Sequence, residues 1–103
     1  MKLLVLIASA MLAMSVTAAQ ANDEELADAS GCLGCHSIDE KKVGPGFTEV
    51  AAKYKGQKDA PSVLFKKVRN GGSGVWGTIA MPPNKKVSDK DLKKIIAWIL
   101  AQK

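Results

Sequence analysis

The chain has 103 residues, a formal net charge of +5, two cysteines and one histidine. Residues 1–21 hold 16 of the hydrophobic residues and the remaining 82, Asn22 to Lys103, hold 32, which is room for one small domain and excludes a two-domain enzyme. A purely protein core is thin at this size, so a metal, a disulfide or a cofactor is expected as a staple.

The first segment reads as a targeting signal. Lys2 supplies a short positive region, Leu3 to about Leu12 an apolar one, and Ala19-Gln20-Ala21 a small-residue cleavage pattern ahead of acidic Asp23, Glu24 and Glu25. This predicts a cleaved signal peptide over 1–21, export to the periplasm, and a mature domain over 22–103. The competing reading is an uncleaved membrane anchor, since Leu3 to Ala19 carries no charge. Ser9, Ser15, Thr17 and the many alanines make that stretch weak for a span, so no stable membrane insertion is expected after cleavage. Cleavage leaves Met81 as the only methionine and His36 as the only histidine, with a net charge of +4.

That charge is uneven. Asp23, Glu24, Glu25 and Asp28 make the mature start acidic, whereas Lys41, Lys42, Lys53, Lys55, Lys66, Lys67, Arg69, Lys85 and Lys86 make the middle basic. No run of like charge reaches a basic tail and no aromatics interleave with the lysines, so nucleic acid is not expected as a partner. A one-sided positive surface suits a protein with an acidic docking patch.

Asn22 or Asp23 can cap a first helix over about 23–33, with Leu26 and Ala29 on one side. Phe47, Val50, Ala51 and Tyr54 recur at helical spacing and predict a second helix over 47–55, stopped by Gly56. Asp59 and Pro61 open a third over 61–69, with Leu64, Phe65 and Val68 on its apolar face and Asn70-Gly71 closing it. Residues 71–87 hold four glycines and two prolines and predict an irregular loop. Ser88-x-x-Asp91 then reads as a capping box before a stripe of Leu92, Ile95, Ile96, Ile99 and Leu100 that runs to the C-terminus. No alternating strand pattern occurs, and the fold class is all-α.

The chemistry sits in Cys32-Leu33-Gly34-Cys35-His36, the spacing of a covalent c-type haem attachment. Two thiols one turn apart can each add to a vinyl group on one porphyrin edge, and the imidazole that follows is then held under the iron. A redox dithiol would need a βαβ context that is missing, and a zinc site would need a fourth good ligand. Export fits covalent haem attachment, and one haem c would supply the apolar plate that a small core lacks. With no second histidine, the sixth iron ligand falls to Met81, the one thioether of the mature chain. A lone methionine is ordinarily core filler, but Met81 lies outside every apolar stripe and beside Pro82 and Pro83.

Together with Val43-Gly44-Pro45, Asn70-Gly71-Gly72-Ser73-Gly74-Val75-Trp76-Gly77, Met81-Pro82-Pro83-Asn84 and Ala97-Trp98-Ile99-Leu100, this pattern resembles the short bacterial class I c-type cytochromes of the c-551 kind over essentially all of 22–103. The resemblance implies a small fold of about four helices wrapped around one covalently bound haem c, acting as an electron shuttle and not an enzyme. It implies that the Pro45 carbonyl accepts from the proximal imidazole, that Trp76 donates its indole N–H to a haem propionate, and that Asn84 orients the methionine loop. Ordinary turn or core roles compete at each position. Lys67 matches a basic position near a propionate, with Lys66 and Arg69 as rivals close in sequence. Two departures from the pattern stand out. The loop after Asn84 is one residue longer than usual, and Ala27 replaces a phenylalanine of some relatives, leaving Leu26 or Trp98 to fill the packing.

Two function classes follow. The first is a monomeric periplasmic carrier passing single electrons to a terminal reductase or oxidase, of the nitrite reductase or cytochrome oxidase type. The second is a five-coordinate haem protein in which Met81 leaves the iron and small ligands or peroxide reach it.

Overall fold

Helix α4, Asp89–Leu100, is the element against which the others pack. Its start is fixed locally: Ser88 takes an extended backbone and its Oγ accepts the Asp91 N–H at 3.1 Å, satisfying one orphan amide of the first turn. Its inner stripe, Leu92, Ile95, Ile96 and Ile99, is buried together with Trp98. Burying each such side chain contributes about 1.5–3 kcal/mol, so this helix supplies much of the apolar burial.

The computed structural model describes residues 15–103, with side-chain surroundings from residue 22 onward. Residues 1–14, and most of the expected signal peptide with them, lie outside the described residues. Among the described residues there is no helix long and apolar enough to cross a membrane.

Helix α1 runs from Ser15 to Ala29, which corrects the expected 23–33 at both ends. The acids at 23–25 read as a helix start, yet no glycine or proline separates Ser15 from Ala29, so nothing in the backbone breaks the helix there. At the other end Gly31 takes φ +85° and turns the chain into a separate 3-10 turn, Cys32–Gly34. Helices α2, Phe47–Lys53, and α3, Ala60–Asn70, lie close to their expected bounds. Tyr54 caps the first and Gly71 the second. Between Gly71 and Ser88 the chain is irregular apart from a single antiparallel bridge between Gly72 and Met81.

Helices α1, α2 and α3 each contact α4. Ala27 is fully buried in the same core cluster as Trp98, and Leu26 packs partly against that core. The fold is all-α, as the sequence implied.

Candidate functional site

Residues 32–36 fold back on themselves in one turn. The Cys32 carbonyl accepts from Cys35 N at 3.3 Å and from His36 N at 3.1 Å. Both cysteines and His36 therefore line one cavity of about 430 Å³, which falls within the range of ligand pockets, about 300–1,000 Å³. Its inner wall is the core itself, since Phe47, Val50, Leu64, Leu92, Ile95 and Ile96 are buried and also line it.

Burial pushes the Cys32 thiol up from its ordinary value, with a backbone hydrogen bond opposing the rise. An attacking cysteine of a redox dithiol needs a lowered value, so this environment speaks against that reading. Among the described residues, no group of three or more His, Cys, Asp and Glu is arranged to hold a metal ion, which counts against zinc.

The His36 ring is held from three directions. Its Nδ1 donates to the Pro45 carbonyl at 2.8 Å, which leaves the lone pair on Nε2. Phe47 stacks on it with centroids 5.1 Å apart and planes 21° from parallel. Gly44 approaches so closely that a Cβ added there would lie 2.9 Å from Nδ1. The loop that brings these groups together is tied at both ends: Gly44 N donates to Cys35 O at 2.8 Å, and Phe47 N and Thr48 N donate to Ser37 O and Ile38 O at 3.0 and 2.8 Å.

Met81 enters the same cavity lining from the glycine and proline loop. It exchanges both backbone hydrogen bonds with Gly72, at 2.8 and 3.0 Å. Asn84 anchors the far end of this segment. Its amide Nδ2 donates to Ser30 O at 3.1 Å, and its Oδ1 accepts from Lys86 N at 3.1 Å and Val87 N at 3.2 Å, which closes a side-chain turn.

Of the other expected residues, Pro45, Trp76 and Lys67 line the cavity, whereas Asn84 braces the loop from behind. Trp76 is 40% exposed, with the Lys53 ammonium 5.4 Å from its ring centroid. Among the three rival basic residues the structure separates two: Lys67 lines the cavity, while Arg69 turns away to Asn84 and Asp89.

Sequence reasoning missed four contributors. Gly44 carries no role in the Val43-Gly44-Pro45 motif read alone, and Phe47 reads only as part of the apolar stripe of its helix. Arg69 reads from the sequence as a rival for a propionate. Lys41, which also lines the cavity, was counted only as charge.

An all-helical domain this small, which presents both thiols of a Cys-x-x-Cys-His run and a distant methionine to one apolar cavity, is built to enclose a covalent haem. The donor set fits that group, since two thiols, an imidazole with a free ring nitrogen and one thioether line the same cavity; the class so defined is the small class I c-type cytochromes. The chain belongs to the cytochrome c family, whose profile matches residues 12–103. It is 48% identical over 81 residues to cytochrome c-552 of Hydrogenobacter thermophilus, covering 79% of this chain and 82% of the relative. It is 50% identical over 80 residues to cytochrome c-551 of Azotobacter vinelandii, covering 78% of this chain and 96% of that one. The crystal structure of Nitrosomonas europaea cytochrome c552 superposes with a TM-score of 0.75 at 46% identity, over 78% of this chain and 99% of the other. Members of this family carry one covalent haem c and transfer electrons.

Proposed function

We propose that this chain is an exported, monomeric electron carrier of the periplasm, in which residues 1–21 are removed as a signal peptide and 22–103 form the monohaem domain. Cys32 and Cys35 tether the haem, and His36 and Met81 are its axial ligands. Its electrons go to a terminal acceptor of the nitrite reductase or cytochrome oxidase type. The observation that carries this reading is that the one histidine and the one methionine of the mature domain line a single apolar cavity with both cysteines.

When bound, a haem with His and Met on the iron supplies one-electron redox chemistry with no open coordination site, and the thioether favours Fe(II). The protein does the rest. Pro45 fixes the imidazole and, by accepting its Nδ1–H, strengthens it as a donor. Buried residues of α2, α3 and α4 keep water from the inner wall. Val43, Val75, Trp76 and Ile79 are large apolar side chains left exposed, and all four line the cavity. They would pack against the bound haem, and Lys41 and Lys67 beside them supply a positive field for an acidic partner.

The test is the redox difference spectrum of the purified protein, with haem staining on denaturing gels. A low-spin ferric spectrum with the weak methionine-to-iron charge-transfer band, lost in Met81→Ala, supports the carrier. Haem staining should vanish when Cys32→Ala and Cys35→Ala are combined. High-spin iron with rapid CO binding in the resting reduced protein would overturn the reading in favour of a ligand-binding or peroxidase role.

A further inference from the structure

Arg69 lies in the last turn of α3 and its guanidinium grips two separate pieces of chain. Nη1 donates to the Asn84 carbonyl at 3.0 Å, and Nη2 donates to Asp89 Oδ1 at 2.7 Å. The group is set over the Phe65 ring, Cζ 5.2 Å from the centroid. Its side chain is only 17% exposed, against 76% for Asp89. Asp89 opens α4, where a negative charge also favours the positive end of the helix dipole.

Asn84 is otherwise fastened on three more sides. Its N–H donates to Val68 O at 2.8 Å, and its side chain spans Ser30 and the 86–87 turn. Only Pro82 and Pro83 separate it from Met81, and their fixed φ makes that link short and stiff. A displacement of Asn84 is thus passed to Met81 with little slack.

We propose that Arg69 is a positioning residue for the methionine: its planar fork latches the Asn84 carbonyl to the start of α4 and so sets how readily Met81 leaves the iron. The inference rests on the reading of Met81 as the sixth ligand. A lysine does not replace this fork, because its single ammonium lacks the two parallel donor edges that serve the carbonyl and the carboxylate together.

The experiment is stopped-flow binding of imidazole to the ferric holoprotein, extrapolated to saturating imidazole so that the rate reports methionine release. Arg69→Leu is expected to raise that rate about tenfold, in line with losing one charge-assisted hydrogen bond. Arg69→Lys should fall between it and the wild type, and Asp89→Asn should give a smaller rise while leaving the Asn84 bond in place. Ser88→Ala is the control: it removes the N-cap of the same helix end and lowers stability without touching Asn84, so its imidazole rate should stay at the wild-type value.

Wild-type rates in both Arg69 variants overturn the latch, as does a Ser88→Ala rate equal to that of Arg69→Leu. If the wild type lacks the methionine charge-transfer band and Met81→Ala leaves its spectrum unchanged, the ligand reading fails, and the latch with it.

Discussion

The His36 imidazole and the Phe47 ring lie stacked, 5.1 Å between centroids, and Phe47 in turn meets Trp98 edge-on at 5.5 Å and 76°. Phe47 therefore links the C-terminal helix to the histidine of the attachment motif. Trp98 is held by the α4 stripe, Phe47 by Trp98, and the imidazole by Phe47 and the Pro45 carbonyl. Phe47→Leu keeps an apolar side chain but removes both ring contacts. It should destabilise the holoprotein by about 1–3 kcal/mol, combining lost volume and lost aromatic pairing. Denaturant unfolding followed at the Soret band measures this, and the imidazole proton resonances should shift as the ring turns. An unchanged midpoint would show that the stack contributes nothing.

Gly44 makes a different demand on the same ring. A methyl group at this position would stand 2.5 Å from Cε1 and 2.9 Å from Nδ1, closer than real Cβ contacts allow. Either the imidazole swings away from Pro45 or the 43–46 loop shifts. Overpacking of this kind costs about 1–3 kcal/mol. Gly44→Ala should therefore lower the unfolding midpoint and perturb the ferric spectrum together, because the clash acts on the donor itself. A drop in stability with an unaltered spectrum would mean that the loop absorbs the strain and the ring does not.

What the sequence made legible divides along the line between local and tertiary causes. Ser88 and the Leu92 to Ile99 stripe form a cap and a face within one helix, so α4 is written in adjacent residues. Cys32, Cys35 and His36 fall within five residues, and Met81 is the one thioether of residues 22–103. None of these needs a fold to be seen. The Phe47 stack, the Gly44 approach and the Arg69 fork exist only once α2, α3 and α4 have met. Phe47 carries the same helical spacing whether it faces a leucine or an imidazole, and a basic residue near the end of α3 reads equally well as a propionate partner. The early start of α1 was hidden for another reason: acidic residues at 23–25 imitate a helix beginning, although alanines and glutamine upstream continue the helix without a break.

Gly71 closes α3 and opens the methionine loop, and both tasks restrict it to glycine. Its φ is +69°, and an added Cβ would collide with the Met81 carbonyl oxygen and sit 2.8 Å from Pro83 N. Gly71→Ala combines about 1–2 kcal/mol of backbone strain with a clash of about 1–3 kcal/mol. The clash falls on the peptide carrying Met81. Gly71→Ala should therefore weaken the methionine charge-transfer band and speed imidazole entry, in addition to lowering stability. Recording the band and the Soret maximum together under native conditions separates this loss from global unfolding, which the Soret band follows. Retention of the full band would show that the loop rearranges without moving the methionine.

Lys67 and Lys41 line the cavity, whereas Arg69 is committed to Asn84 and Asp89. With Lys53 over Trp76, these lysines outnumber Glu49, the one acidic residue of the lining, and the positive field favours anionic reactants approaching that face. Ferricyanide serves as a defined probe. Oxidation of the reduced protein by ferricyanide should slow by roughly three- to tenfold in Lys67→Glu at low ionic strength, a modest share of the 10- to 1,000-fold range of electrostatic steering. As salt rises toward physiological strength the Debye length contracts to about 8 Å, and the variant and wild-type rates should converge. A charge reversal at Lys90, on the exposed side of α4, preserves the net-charge change but lies outside the cavity lining, and it should slow the reaction less. Equal slowing by both reversals would assign the effect to net charge alone and remove Lys67 from the docking face.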